Sequence, residues 1–158
     1  MAGAQRVSEA TCVRRIAARP STVFGALTTA EGMATWWSPD GGPVLSAASD
    51  PQVGGRFRVR FRKVDGSEHE CSGEFLEIEE PRRIVLSYEW TSGGVPEERD
   101  RVSRVELHLR LIDTGTELTV IHAGLYNDAS AANHSSGWAG ALDRLVRRFA
   151  ASNRLPPA

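Results

Sequence analysis

"GLYNDASAANHSSGWAGALDRLVRRFA", residues 124–150, opens on turn residues and then settles into an apolar stripe. Asn127, Asp128 and Ser130 carry side chains suited to capping the free backbone N–H groups of a helix start. His134, Trp138, Ala141, Leu142, Leu145 and Phe149 then recur at helical spacing. Asp143, Arg144, Arg147 and Arg148 take the opposite face, so one side of this helix is wet and the other needs an apolar surface to cover.

That surface is supplied upstream by segments of a different period. In "GGRFRVRFRK", residues 54–63, Phe57, Val59 and Phe61 alternate with Arg56, Arg58, Arg60 and Arg62, the signature of a half-buried strand. The arginines form either an anion-binding row or a solvated outer face, and a formal net charge of -1 favours the latter. A turn at Val64-Asp65-Gly66-Ser67 pairs this strand with "EHECSGEFLEIEE". Beyond Pro81 the pattern predicts a strand with Ile84, Leu86, Tyr88 and Trp90 inward, then a mobile acidic connection, "TSGGVPEERD", over residues 91–100. The next two strands put Val105, Leu107, Leu109 and Leu111 inward, and then Leu118, Val120 and His122.

Towards the N-terminus, "ATCVRRIAA" at residues 10–18 reads as a strand. Val23, Phe24 and Leu27 mark a first short helix. Thr28 and Glu31 resemble a capping box that starts a second, whose face would carry Met33, Trp36 and Trp37. Residues 44–54 read as a connecting loop. The order strand, two short helices, five hairpin-linked strands and one long helix predicts an α+β fold, with a curved six-stranded antiparallel sheet wrapped around the C-terminal helix. The space between sheet and helix is the natural place for a ligand.

A chain of 158 residues fits one domain, with a core over residues 10–150 and loose ends at 1–8 and 153–158. The low net charge gives no field to gather nucleic acid or a membrane surface. No stretch resembles a signal peptide or a membrane span, so a cytoplasmic location is expected, with Cys12 and Cys71 as buried reduced thiols.

Three segments, taken in order, carry a resemblance: "VFGALTTAEGMATWWSP", "GGRFRVRF" with "GEFLEIEEPRRIVLSYEW", and "ELTVIHAGL" with "HSSGWAGALDRL". Together they resemble the START-related helix-grip superfamily, in its branch named for the C-terminal domain of the activator of the heat-shock-protein-ninety ATPase. The resemblance covers residues 10–150. It implies a sheet that grips the last helix and two short helices that close the cavity. It also implies apolar ligands such as lipids, polyketides or hormones; a few members are polyketide cyclases or dehydratases, and others stimulate the chaperone. The eukaryotic chaperone activator docks largely through a separate N-terminal domain and nothing precedes residue 10 here, so a chaperone is the least favoured partner. A homodimer fits the branch, and an outward Trp37 would supply surface for one.

The expected ligand wall comprises Trp36, Phe57, Phe61, Tyr88, Trp90, Leu107, Val120, His122, His134, Trp138 and Leu142. Trp36 and Trp37 are adjacent, so one of them is expected at the rim or surface. His122 and His134 are candidates for proton transfer or for hydrogen bonding to a ligand. The structural alternative, in which they satisfy neighbouring backbone, is preferred because no carboxylate or nucleophile stands beside either one in sequence. Binding is accordingly favoured over catalysis. His69 and Cys71 share a strand face but two ligands leave a zinc site incomplete, and no P-loop or G-x-G-x-x-G occurs, so neither metal nor cofactor is expected. Gly137 beside Trp138 suggests close approach of helix to sheet.

Overall fold

The computed structural model describes residues 8–94 and 98–152. Strand β1 (Ser8–Ile16) leads into helix α1 (Pro20–Thr28) and the single turn α2 (Ala30–Met33). Strands β2 (Val44–Ser49), β3 (Arg56–Arg62), β4 (Glu68–Glu79), β5 (Arg83–Ser92), β6 (Ser103–Ile112) and β7 (Gly115–Leu125) follow, and α3 (Asp128–Ser152) ends the fold. All strands join one antiparallel sheet in the order β1-β7-β6-β5-β4-β3-β2, so each hairpin partner is also its neighbour and β1 closes beside β7. The fold class is α+β, and α3 covers the apolar face of the sheet through Trp138, Ala141, Leu142, Leu145 and Phe149, all buried.

The sheet has seven strands rather than six. The added strand, β2, has the sequence VLSAAS and an irregular burial pattern, and it pairs with β3 at the sheet edge. Small side chains on an edge strand make no apolar alternation, so the segment reads as loop from sequence. Loose ends were expected at residues 1–8 and 153–158. Ser8 instead begins β1, and its hydroxyl bonds the Asp128 carboxylate at the start of α3; the remaining positions lie outside the described residues.

Two further corrections concern the helices. The cap of α2 is Thr29, whose hydroxyl accepts from the Gly32 N–H at 3.0 Å, whereas Thr28 Oγ1 donates back to the Phe24 carbonyl within α1. Because α2 stops at Met33, the chain turns and the N–H groups of both Trp36 and Trp37 reach the Met33 carbonyl. Adjacent side chains freed from helical spacing both turn inward: Trp36 is 0% and Trp37 5% exposed, so Trp37 provides no outward surface.

The arginine strand behaves as an outer face. Phe57, Val59 and Phe61 are buried, and Arg56 pairs with Glu89 two strands away on β5, while Arg58, Arg60 and Arg62 pair with Glu70 and Glu68 on the adjacent β4. Exposed pairs of this kind contribute about 0–1 kcal/mol each, so the row adds little to stability. On β6, Leu111 was expected inward and is 70% exposed: it lies one residue pair from the end of the β6–β7 hairpin, where the sheet outruns its cover. Cys12 and Cys71 are free and buried. No helix among the described residues is long and apolar enough to cross a membrane.

Candidate functional site

A cavity of about 360 Å³ opens between α3, the β3–β5 half of the sheet and the segment that follows α2. The sheet contributes Phe61 from β3, His69 from β4, and Tyr88 and Trp90 from β5, while α3 contributes His134, Gly137, Trp138 and Ala141. The segment after α2 adds Trp36, Trp37, Ser38, Pro39 and Asp40.

Of the eleven residues expected to line a ligand site, Trp36, Phe61, Tyr88, Trp90, His134 and Trp138 meet at this cavity. Phe57, Leu107, Val120, His122 and Leu142 do not; each is buried in the packed core. The reason lies in the topology. Leu107 and Val120 are paired neighbours on β6 and β7, and the lining draws on neither strand, because the opening is displaced toward β3–β5.

The rings form a continuous cluster. Trp37 lies 4.8 Å from Trp36, 5.4 Å from Phe57 and 5.8 Å from Trp138 between ring centroids, and Trp90 lies 5.7 Å from Tyr88. Such contacts each add about 0.5–1.5 kcal/mol beyond area burial and hold the walls rigid.

His122 and His134 sit with ring centroids 4.8 Å apart, but they hold different roles. Trp138 Nε1 donates to His122 Nδ1 at 3.1 Å, which places the ring proton on Nε2. That nitrogen donates to Ser103 Oγ at 2.7 Å, and the Ser103 hydroxyl donates to the Tyr88 carbonyl. Every polar atom of His122 is thus engaged inside the core, which suits a structural role. Burial first, and the neighbouring His134 second, hold its pKa well below the usual 6.5.

This carries a stability consequence. The folded chain keeps His122 unprotonated while the unfolded chain takes up a proton near pH 6.5, so the contribution is complete above that pH and is lost as pH falls below it. Between pH 7.5 and 5.5, urea midpoints are expected to fall, with this group contributing a loss on the order of 1 kcal/mol. Burial lowers His69 in the same direction. A His122→Gln variant with the same pH slope as the parent would refute the assignment.

His134 faces the cavity. Its Nδ1 donates to the Ser130 carbonyl at 2.9 Å within α3, so Nε2 is the acceptor for Trp90 Nε1–H at 3.2 Å. Sequence reasoning placed no carboxylate here, yet Glu98 is buried beside this ring, with Oε2 3.6 Å from His134 Nε2 and Oε1 accepting from the Ser130 hydroxyl. Glu98 belongs to the stretch expected to be a mobile connection. It comes into reach because the chain after β5 folds back to form a bridge between Arg99 and Trp90. Residues 95–97 of that connection lie outside the described residues.

Two buried polar side-chain atoms among the described residues lack a hydrogen-bond partner, Ser38 Oγ and Glu98 Oε2, and both residues line this cavity. Nucleophilic chemistry finds little support elsewhere. Burial pushes the Cys71 thiol up to about 12, and burial, then the nearby Cys71 and Glu98, raise Tyr88 well above its ordinary value. His69 is held by Gly94 N–H on Nδ1 and by Ser67 on Nε2. Cys71 beside it is wholly buried, and no group of three or more His, Cys, Asp or Glu suited to a metal ion occurs among the described residues.

The family model described as "Activator of Hsp90 ATPase homolog 1-like protein" matches residues 17–150. Among solved structures, the AHSA1 protein from Silicibacter pomeroyi is similar with a TM-score of 0.79 at 19% identity, over 92% of this chain and 100% of that one. A Chromobacterium violaceum protein is similar with a TM-score of 0.76 at 24% identity, over 89% and 96%. The AHSA1-like protein from Aeromonas hydrophila gives 0.73 at 20% identity, over 96% and 100%. At these identities the likeness establishes a common fold. No curated protein matches the chain.

Proposed function

The chain belongs to the Activator of Hsp90 ATPase homolog 1-like family, and from that premise we propose that it is a small-molecule-binding protein whose cavity between β3–β5 and α3 takes an apolar, ring-bearing ligand. One observation carries the reading: the two unpartnered buried polar atoms, Ser38 Oγ and Glu98 Oε2, belong to the lining of a single aromatic-walled cavity. Buried polar groups are normally paired, and an apolar pocket with a few convergent polar atoms is the usual form of a ligand site. At about 360 Å³ the space falls at the small end of the roughly 300–1,000 Å³ range of such sites, which suits a one- or two-ring molecule.

Native mass spectrometry of the purified protein is expected to detect a co-purified small molecule. Flat apolar ligands are expected to quench the tryptophan fluorescence, and at a hundredfold excess over Kd to stabilise the fold by about 2.7 kcal/mol, a rise in Tm of roughly 5–11 °C. A high-resolution structure of the free protein with the cavity collapsed into solid core would end the proposal.

A cyclase-like reading is favoured by one contact, the Glu98 carboxylate beside His134 Nε2, which singles out His134 from the two candidate proton carriers. Under that reading His134→Ala abolishes turnover of a bound polyketide-like substrate and leaves its affinity nearly intact.

A further inference from the structure

We infer that the ligand of this cavity is an organic cation, an apolar or aromatic body bearing a protonated amine whose ammonium group sits on Glu98. The inference rests on the binding function proposed above and narrows its ligand class.

Glu98 is 7% exposed and lines the cavity, yet only one of its oxygens is served: Oε1 takes the Ser130 hydroxyl and Oε2 has no donor. Among the described residues, the ionisable side chain within ion-pair distance is His134, and its Nε2 already accepts the Trp90 N–H. With its lone pair taken by Trp90 and the ring proton on Nδ1, that nitrogen has no proton to offer the carboxylate. A desolvated carboxylate in this setting calls for a donor, and a cationic donor serves it best.

The walls favour the same class. Three of the four indole N–H groups are used inside the protein: Trp36 on the Ala26 carbonyl at 2.8 Å, Trp90 on His134 and Trp138 on His122. These three tryptophans thus offer a ligand their carbon rings and withhold the donors that a carboxylate or phosphate would require. Electron-rich aromatic faces attract cations, and cages of this kind recognise ammonium groups. The charges agree. Of the charged lining residues, Lys63 and Asp40 offset one another, which leaves Glu98 as the net negative charge with the histidines counted neutral.

Isothermal titration at pH 7.5 with three matched probes decides the point: 3-phenylpropylamine, 3-phenylpropan-1-ol and 3-phenylpropanoate. The amine is expected to bind at least about tenfold more tightly than the alcohol, and the carboxylate more weakly than either. Glu98→Gln, nearly isosteric, is expected to weaken the amine by about tenfold or more and the alcohol by less than about threefold. Alcohol or carboxylate binding as tightly as the amine overturns the cationic class, as does absence of amine binding or a Glu98→Gln variant that keeps the preference. If the alcohol binds while the amine preference is missing, the cavity still holds ligands and only this inference falls. If none of the three binds and 1-anilinonaphthalene-8-sulfonate gives no fluorescence enhancement, the binding function falls as well. The ranking on the parent protein stands as a test even if the variant fails to fold.

Discussion

Replacing Gly140 with alanine is expected to lower stability by about 3 kcal/mol, although alanine is the better helix former by about 1 kcal/mol. A Cβ at this position would stand 1.8 Å from the Pro39 carbonyl oxygen and 2.8 Å from its carbon, which is backbone and cannot rotate away. Either α3 or the segment after α2 must shift, and Pro39, Trp36 and Trp37 on that segment wall the cavity. For a chain of this length the loss corresponds to a fall in Tm of roughly 6–12 °C, and ligand quenching of tryptophan fluorescence is expected to weaken with it. Gly137, one turn earlier, is the control. Its Cβ would meet only Pro39 Cβ at 3.6 Å, so Gly137→Ala is expected to be neutral or to stabilise by up to about 1 kcal/mol. Equal melting temperatures for the two variants would show that the Gly140 approach is not rigid. The close approach expected from sequence at Gly137 thus belongs to Gly140, and it is made to the Pro39 segment and not to the sheet.

The same pair of glycines marks how far the sequence could be read. Elements with a strong period were legible: the Phe57–Phe61 alternation, the inward run of β6 as far as Leu109, and the α3 stripe from His134 to Phe149 all appear where the pattern put them. Local chemistry decides those, because burying one face at period 2 or 3.6 leaves few alternatives. The strand β2 was not legible, since VLSAAS carries no apolar alternation. That Trp36 and Trp37 both turn inward was not legible, because their orientation depends on where α2 stops, a matter of one turn of backbone. Glu98 lay beyond any local signal. Nothing in "PEERD" separates it from the glutamate before it, and it becomes part of the site only through contacts with Ser130 and His134, more than thirty residues downstream. Five of the eleven residues of the expected ligand wall lie away from the cavity for a related reason: alternation tells which face of a strand is inward, but not which end of the gripped helix leaves a gap.

Trp138→Ala is expected to cost about 4–5 kcal/mol, more than the Gly140 change, with loss of the ligand site. Its ring lies 5.8 Å from Trp37, 6.4 Å from Trp36 and 6.5 Å from Tyr88, so truncation removes the helix side of the cavity and the contact that holds both preceding tryptophans. Its N–H also supplies Nδ1 of the fully buried His122. Trp138→Phe separates these terms. Phenylalanine keeps an aromatic wall but leaves His122 Nδ1 unpaired, a penalty of about 1–3 kcal/mol. Urea denaturation of the two variants at pH 7.5 is expected to place Phe between the parent and Ala. Because a domain of this kind has only about 5–15 kcal/mol in total, the Ala variant is expected to show a sharply lowered midpoint. If Phe proves as stable as the parent, the Trp138–His122 hydrogen bond contributes nothing net, and the structural role assigned to His122 loses its main support. If Phe is as unstable as Ala, ring packing is not what holds the wall, and the cavity's aromatic cluster must be rigid for some other reason than its mutual contacts.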